Sequence, residues 1–306
     1  MTTVALVTDT VNLAIDHDMP LLREACTTIG LTTEICQWED EEVDWSRFDA
    51  VLLRSPWNYV DRLSEFLAWC ERVDASTLLL NPLAVARWAL DKSYLADLAA
   101  LGVPIVPSRF AGPSEDPASV VRDFLAEHPE ATEIVVKPVV GAYSREVQRF
   151  TRSMETKAAG HMSRLCEEGG QVLLQPYFGS VDSNGETDLV YFDRRYSHAI
   201  RKSAMLMPDG TVNVPTLEFR KARVADESER VVASAALDAT ASHLGLDRPL
   251  LYGRVDLIRD DNGKPVVLEL DICEPSLNLP FGEGSALRFA EVLAERVGGS
   301  SSRGVR

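Results

Sequence analysis

The stretch YGRVDLIRDDNGKPVVLELDICEPSLN, residues 252–278, decides how the chain is read. Asn262-Gly263 predicts a two-residue hairpin turn, because both central positions accept positive φ. That turn sets Asp256 opposite Glu269 and Arg254 opposite Asp271. Side chains alternate between the faces of a strand. Val255, Leu257, Leu268, Leu270 and Ile272 therefore share a core face, and Arg254, Asp256, Glu269 and Asp271 share the other.

Like charges opposed across a ladder cost up to ~1 kcal/mol when solvated and more when buried. Three carboxylates on one face make sense around a hard cation. An oxygen-only donor set without His or Cys points to Mg²⁺ or Mn²⁺ rather than zinc, as used to bridge nucleotide phosphates. The alternative is a solvated hairpin face whose charges keep a sheet soluble. The acids come from both strands and Arg254 lies among them, which weighs toward the metal.

Working outward, residues 2–8 form a β-branched run, and Met19, Leu22, Cys26 and Ile29 recur at helical spacing up to Gly30. Strands over 31–37, 50–54 and 77–80 and a helix over 61–73 complete a small parallel α/β lobe, roughly residues 1–85. One helix carries Trp88, Lys92, Leu95 and Leu98 and ends at Gly102. Helices near 117–127 and 155–168 flank the strand EIVVK (133–137), and VLLQPYF (172–178) is a further strand. DLVYF and YSHAIRK form a hairpin about Asp193-Arg194. A helix over 226–244 precedes the acidic hairpin and another over 285–297 follows it. The tail GGSSSRGVR reads as irregular.

The 306 residues carry a net charge of −16, which disfavours nucleic acid and anionic membranes as partners. No apolar run reaches membrane-spanning length, and MTTVALVTDT lacks the features of a signal peptide. Five scattered cysteines without CxxC spacing suit a reducing compartment, so a cytoplasmic location is expected. Lys137 ends a strand before a small-residue loop, a place that suits an anionic phosphate, although a lysine there also simply marks a strand end. Pro176 suits a segment leaving sheet pairing. The five histidines are scattered and read as structural, with His198 the one to watch because it shares a strand face with Lys202.

Taken in order, NPLAVARWALDKSYLADLAALGVPIVPS (81–108), IVVKPVVGAYSREV (134–147), LLQPYF (173–178), YSHAIRKS (196–203), YGRVDL (252–257) and LELDICEPSLNL (268–279) resemble the ATP-grasp superfamily. The resemblance implies an ATP-grasp fold of α/β class, α+β in its later lobes. It divides the chain into an N-terminal substrate domain (1–85), a central subdomain (86–175), a C-terminal subdomain with the metal hairpin (176–300) and a disordered tail (301–306). It implies ATP and Mg²⁺, with Lys92, Lys137 and Ser144 toward the nucleotide and Gln175, Pro176, Tyr177 and Phe178 around adenine. Asp256, Glu269 and Asp271 would hold the metal. Arg254 would stabilise the transferring phosphoryl group, with Lys202 reaching phosphate or substrate. Two departures stand out: Asp271 occupies a position where many members have Asn, and the loop at 141–146 is poor in glycine.

RSPWNY (54–59) and EPSLNL (274–279) are similar to a narrower group of cyclo-ligases that close O-ureido-D-serine into D-cycloserine. This implies that Arg54, Ser55, Asn58, Arg254, Ser276 and Asn278 hold the amino-acid substrate, while Trp57 reads as a core aromatic. The implied partners are a small amino acid and ATP; a homo-oligomer is compatible with the sequence. The other readings are a ligase joining an amino acid to a separate amine, and a nucleotide-binding protein without turnover. A hydride-transfer enzyme is disfavoured because the single GxG, Gly282-Glu283-Gly284, lacks a strand–turn–helix setting.

Overall fold

A computed structural model describes residues 2–167, 169–207, 212 and 217–301. Elements β1 (Thr3–Thr8), α1 (Asp18–Thr28), β2 (Thr32–Gln37), β3 (Ala50–Ser55), α2 (Leu63–Ser76) and β4 (Leu78–Leu80) build the first lobe. Its sheet is parallel in the order β2-β1-β3-β4. β1 and β3 read as near-continuous apolar runs because both faces are covered, one by α1 and the other by α2.

The long helix expected around Lys92 is two helices, α3 (Leu83–Ala89) and α4 (Tyr94–Ala100). Lys92 sits in the break. Its backbone N–H leaves the helical ladder and donates to the Val139 carbonyl at 3.0 Å, while Asp91 Oδ1 accepts the Ser93 N–H within the break. The central lobe then adds β5 (Arg109–Ala111), α5 (Pro117–Glu127), β6 (Glu133–Pro138), β7 (Gln148–Thr151), α6 (Glu155–Glu167) and β8 (Val172–Pro176). Its antiparallel sheet runs β5-β8-β6-β7, with α5 and α6 packed on one face.

The third sheet holds β9 (Glu186–Phe192), β10 (Arg195–Lys202), β11 (Arg220–Arg223), β12 (Tyr252–Arg259) and β13 (Pro265–Asp271), ordered β11-β10-β9-β12-β13 and antiparallel throughout. A short helix, α7 (Ser180–Asn184), precedes it, and α8 (Glu227–His243) covers its apolar face. Asp226 and Glu229 form a reciprocal capping box that fixes the start of α8.

The last helix, α9 (Ser285–Ser301), runs beyond the expected end at 297, and residues 302–306 of the expected disordered tail lie outside the described residues. Although late in sequence, α9 shares the first lobe's core: Phe289, Ala290 and Leu293 join Val4, Leu6 and Met19. Phe289 stacks on Phe192 with ring centroids 4.7 Å apart. The helix therefore ties the first sheet to the third, which the expected 176–300 boundary did not anticipate. Each fully buried side chain of this size adds about 1.5–3 kcal/mol.

A second tie is polar. Asn81 is buried just after β4; its Nδ2 donates to the carbonyls of Tyr252 (2.9 Å) and Ile272 (2.8 Å), and its Oδ1 accepts the Leu251 N–H (2.8 Å). Asn81→Ala strands these backbone groups and is expected to cost about 3 kcal/mol, read as a lowered urea midpoint. An unchanged midpoint would remove this tie from the fold's energetics.

Candidate active site

The acidic hairpin forms with Arg254 opposite Asp271 and Asp256 opposite Glu269, as the alternation predicts. The turn differs. Asp260 N–H bonds the Lys264 carbonyl, which leaves three residues in the loop, and Gly263 takes φ +75°. The register nevertheless returns, because it shifts by one between Asp256 and Leu257. Leu268 is the extra residue of that bulge, and it leaves the core face assigned to it. It lines the cavity and packs by Val106, Val135 and Ile258 instead.

Above the hairpin face lies a cavity of about 580 Å³ between the second and third sheets. Its floor is densely charged. Arg254 Nε and Nη2 grip both oxygens of Asp256 at 2.7 and 2.9 Å, Nη2 also pairs with Asp271, and Nη1 donates to the Ser276 carbonyl at 2.9 Å. Lys92 Nζ pairs with Glu269 at 2.8 Å and donates to the Gly141 carbonyl. Lys202 pairs with Glu186 at 2.7 Å and lies 3.6 Å from both Asp188 and Asp256.

Glu186 and Asp188 were not anticipated as site residues. Their signal was the alternation in ETDLVYF: two acids two apart, on the strand that pairs with β12 and sets Asp188 directly opposite Asp256. Burial and the Asp256 charge push Asp188 up to about 6. Burial likewise pushes Asp271 up to about 8, against the pull of Arg254. Glu269 is buried too, but Lys92 and Lys137 hold it down at about 2.

This donor set fits a hard divalent ion. Every acid offers carboxylate oxygen, and Glu186, Asp188 and Asp256 bring oxygens within 4.8 Å of one another. Among the described residues, Asp188 Oδ1 is buried without a hydrogen-bond partner.

Another wall of the cavity gathers the residues expected to face a nucleotide. Lys137 ends β6 inside the cavity, and among the described residues no hydrogen bond or ion pair holds its ammonium group. Gln175, Pro176, Tyr177 and Phe178 line the same space, with Gln175 Nε2 anchored on Ser108 Oγ at 2.9 Å. Tyr177 supports Arg149, whose guanidinium carbon stands 3.6 Å from the ring centroid. Ser144 lies at the rim in a loop where Tyr143, Ser144 and Glu146 all take positive φ.

With the geometry in view, comparison with known proteins places the chain. The family described as D-cycloserine synthetase DcsG, N-terminal domain, matches residues 4–81. Cycloserine biosynthesis protein DcsG of Streptomyces lavendulae is 61% identical over 293 residues, which cover 96% of this chain and 98% of that protein. The chain belongs to the D-cycloserine synthetase family. A crystal structure of D-cycloserine synthetase DcsG is 60% identical and superposes with a TM-score of 0.94, covering 96% of this chain and 99% of that one. D-alanyl-alanine synthetase A from Vibrio cholerae (15% identity, TM-score 0.69, 97% and 98% covered) and ATP-grasp ligase PsnB (18%, 0.62, 97% and 97%) share the fold. The α/β ATP-grasp architecture read from the ordered motifs is therefore correct.

At the substrate end of this family member, several expectations need correcting. Arg54 does not line the cavity. It is fully buried, donates to the Pro275 carbonyl at 3.0 Å and faces Asp18 at 3.6 Å. Ser55 is buried as well and donates to Thr8 Oγ1. Asn58 is occupied with Glu39, Trp38 and Asp9. Arg54 and Ser55 are buried at the end of β3, where Arg54 meets the 274–279 loop, and Asn58 lies in the turn that follows, outside the cavity lining. From this segment Trp57 and Tyr59 line the cavity; Trp57, expected in the core, donates from Nε1 to the Glu274 carbonyl at 2.8 Å, and its ring meets Tyr143 edge-on at 5.2 Å.

Ser276 lines the cavity, and Asn278 lies just behind it in a left-handed conformation, φ +54°. His198 shares its strand face with Lys202 but does not reach the cavity. Its Nε2 lies 2.9 and 3.1 Å from the carbonyls of Leu277 and Asn278, and burial lowers its pKa to about 4. It is a neutral clamp on the loop.

Burial pushes the Lys137 ammonium down to about 8, with Lys92 adding to the effect. A triphosphate favours the charged form, so nucleotide binding must raise that pKa and take up protons near and above pH 8. Calorimetry in buffers of different ionisation enthalpy at about pH 9 is expected to show this uptake, and Lys137→Gln to remove most of it. Equal uptake in both proteins would detach Lys137 from the phosphates.

Proposed function

We propose that this chain is the ATP-dependent ligase of D-cycloserine formation, activating the carboxylate of O-ureido-D-serine and closing its ring. The observation that carries this reading is the facing of Lys92 and Lys137 across the Arg254–Asp256–Glu269–Asp271 floor. Cations and acids meet there at the end of an apolar nucleotide wall.

A free carboxylate resists attack because its leaving group would be oxide. Attack of a carboxylate oxygen on the γ-phosphorus of ATP expels ADP and yields an acyl phosphate, whose leaving group is phosphate. Asp256, Glu269 and Asp271, with Glu186 and Asp188 beside them, would hold Mg²⁺, which would supply charge neutralisation on the phosphates when bound, and Mn²⁺ shares its preference for oxygen donors. Lys92 and Lys137 position the phosphates, and Gln175, Pro176, Tyr177 and Phe178 line the adenine space. Arg254 sits where negative charge gathers in the transition state, and Lys202 holds Glu186, Asp188 and Asp256 in register.

The ureido nitrogen bonded to oxygen then attacks the acyl carbon, loses its proton and expels phosphate, forming the five-membered isoxazolidinone. Water cleaves the remaining carbamoyl group, which leaves as CO₂ and ammonia. An intramolecular nucleophile gains effective concentration without a second substrate site. Trp57 and Tyr143, meeting edge-on at the rim, shield the acyl phosphate from bulk water. The five cysteines are free and buried, in keeping with a reducing cytoplasm.

Incubation of the protein with ATP, Mg²⁺ and O-ureido-D-serine, without an added amine, is expected to give ADP, phosphate and ammonia in equal amounts, with D-cycloserine detected by mass. A requirement for an added amine would replace cyclisation with ligation of two substrates. Glu269→Gln is expected to lower turnover by about 10²-fold or more while the thermal midpoint stays near wild type; near-normal ADP release would overturn the metal assignment.

A further inference from the structure

Two guanidinium groups reach the cavity near Ser276, and they differ in how far their charge is already committed. Arg254 is occupied by Asp256, Asp271 and the Ser276 carbonyl. Among the described residues, the partners of Arg220, at the start of β11 beside Lys202, are neutral: Nη1 donates to Asn278 Oδ1 at 2.7 Å and to Ser276 Oγ at 3.2 Å. Among the described residues no carboxylate lies within ion-pair distance of it, and its Nε is buried with no partner. An arginine lodged in this way leaves one edge of its fork, Nε with Nη2, free as two parallel donors. That edge matches a carboxylate.

The surroundings hold this edge in place. Asp18 accepts the backbone N–H groups of Leu277 and Leu279 at 2.5 and 2.7 Å, and His198 engages the carbonyls of Leu277 and Asn278. The loop is thus fixed from both sides, and it presents Ser276 Oγ and Asn278 Oδ1 as a cradle for Nη1. Burial and the nearby Arg254 charge both lower the Arg220 pKa, a penalty that a bound anion reverses. The phosphate side of the cavity already has Lys92, Lys137 and Lys202.

We infer that Arg220 receives the carboxylate of the amino-acid substrate and presents it for phosphorylation, while Arg254 organises the acidic floor. This rests on the cyclo-ligase reading and adds to it the residue that recognises the reacting group. A carboxylate on the free edge is held by two charge-assisted hydrogen bonds in a desolvated site, and the neutral carboxamide cannot replace it.

The test compares O-ureido-D-serine with its carboxamide, using calorimetric binding to the nucleotide-loaded protein and ADP release. Wild type is expected to bind the acid far more tightly than the amide. Arg220→Met is expected to raise the KM for the acid on the order of 100-fold, to bind acid and amide alike, and to keep its nucleotide Kd. Arg220→Lys, which retains charge without the fork, falls between them, and guanidinium ion restores part of the Met variant's activity. Undiminished preference for the acid in Arg220→Met overturns the inference while leaving the cyclo-ligase reading intact. A nucleotide Kd weakened as much as the amino-acid KM assigns Arg220 to phosphate and also overturns it. Wild type that forms no D-cycloserine removes the cyclo-ligase reading itself, and the inference with it.

Discussion

Carboxylates gathered in a low-dielectric cleft repel one another, and the neutralisation of that repulsion organises this molecule. Asp188 and Asp256 face each other on adjacent strands, with Glu269 and Asp271 on the next. Without cations each would cost several kcal/mol to ionise. Arg254, Lys92 and Lys202 answer them from three directions, drawn from β12, the break between α3 and α4, and β10. The floor therefore exists only where all three sequence regions have come together.

The loop that follows β13 extends the same logic to the lobes. Arg54 and Asp18 reach it from the first lobe and His198 from the third sheet, all through backbone atoms of the loop. Side chains that the loop presents to the cavity are thereby positioned by residues that do not line it. This division of labour explains why conspicuous polar residues such as Arg54 and Ser55 are buried rather than exposed to substrate.

The hairpin face was legible in sequence because alternation and cross-strand pairing are local rules, and Asn262-Gly263 placed the turn within one residue. The place of Gln175, Pro176, Tyr177 and Phe178 on the cavity wall was legible through the ordered motifs. Other features depended on tertiary packing. Which side of β3 meets the cavity is set by where the third lobe docks, so Arg54 and Ser55 are buried away from it, Asn58 lies outside its lining, and Trp57, read as a core aromatic, lines it. Lys92 was drawn into a continuous helix because its capture by the Val139 carbonyl is a contact across 47 positions. Arg220 gave no local signal; it gains its place by pairing β11 with β10.

The bulge at Leu268 has a consequence for how such chains can change. The three-residue loop displaces one strand of the hairpin by a single step, and the unpaired leucine steps it back before the acids are reached. Neither irregularity is tolerable alone, since an uncompensated offset would rotate Glu269 and Asp271 into the apolar interior. Gains and losses of residues in this hairpin must therefore come in matched pairs, one at the tip and one on the stem. Length variation between relatives should be read there as a couple rather than as independent events.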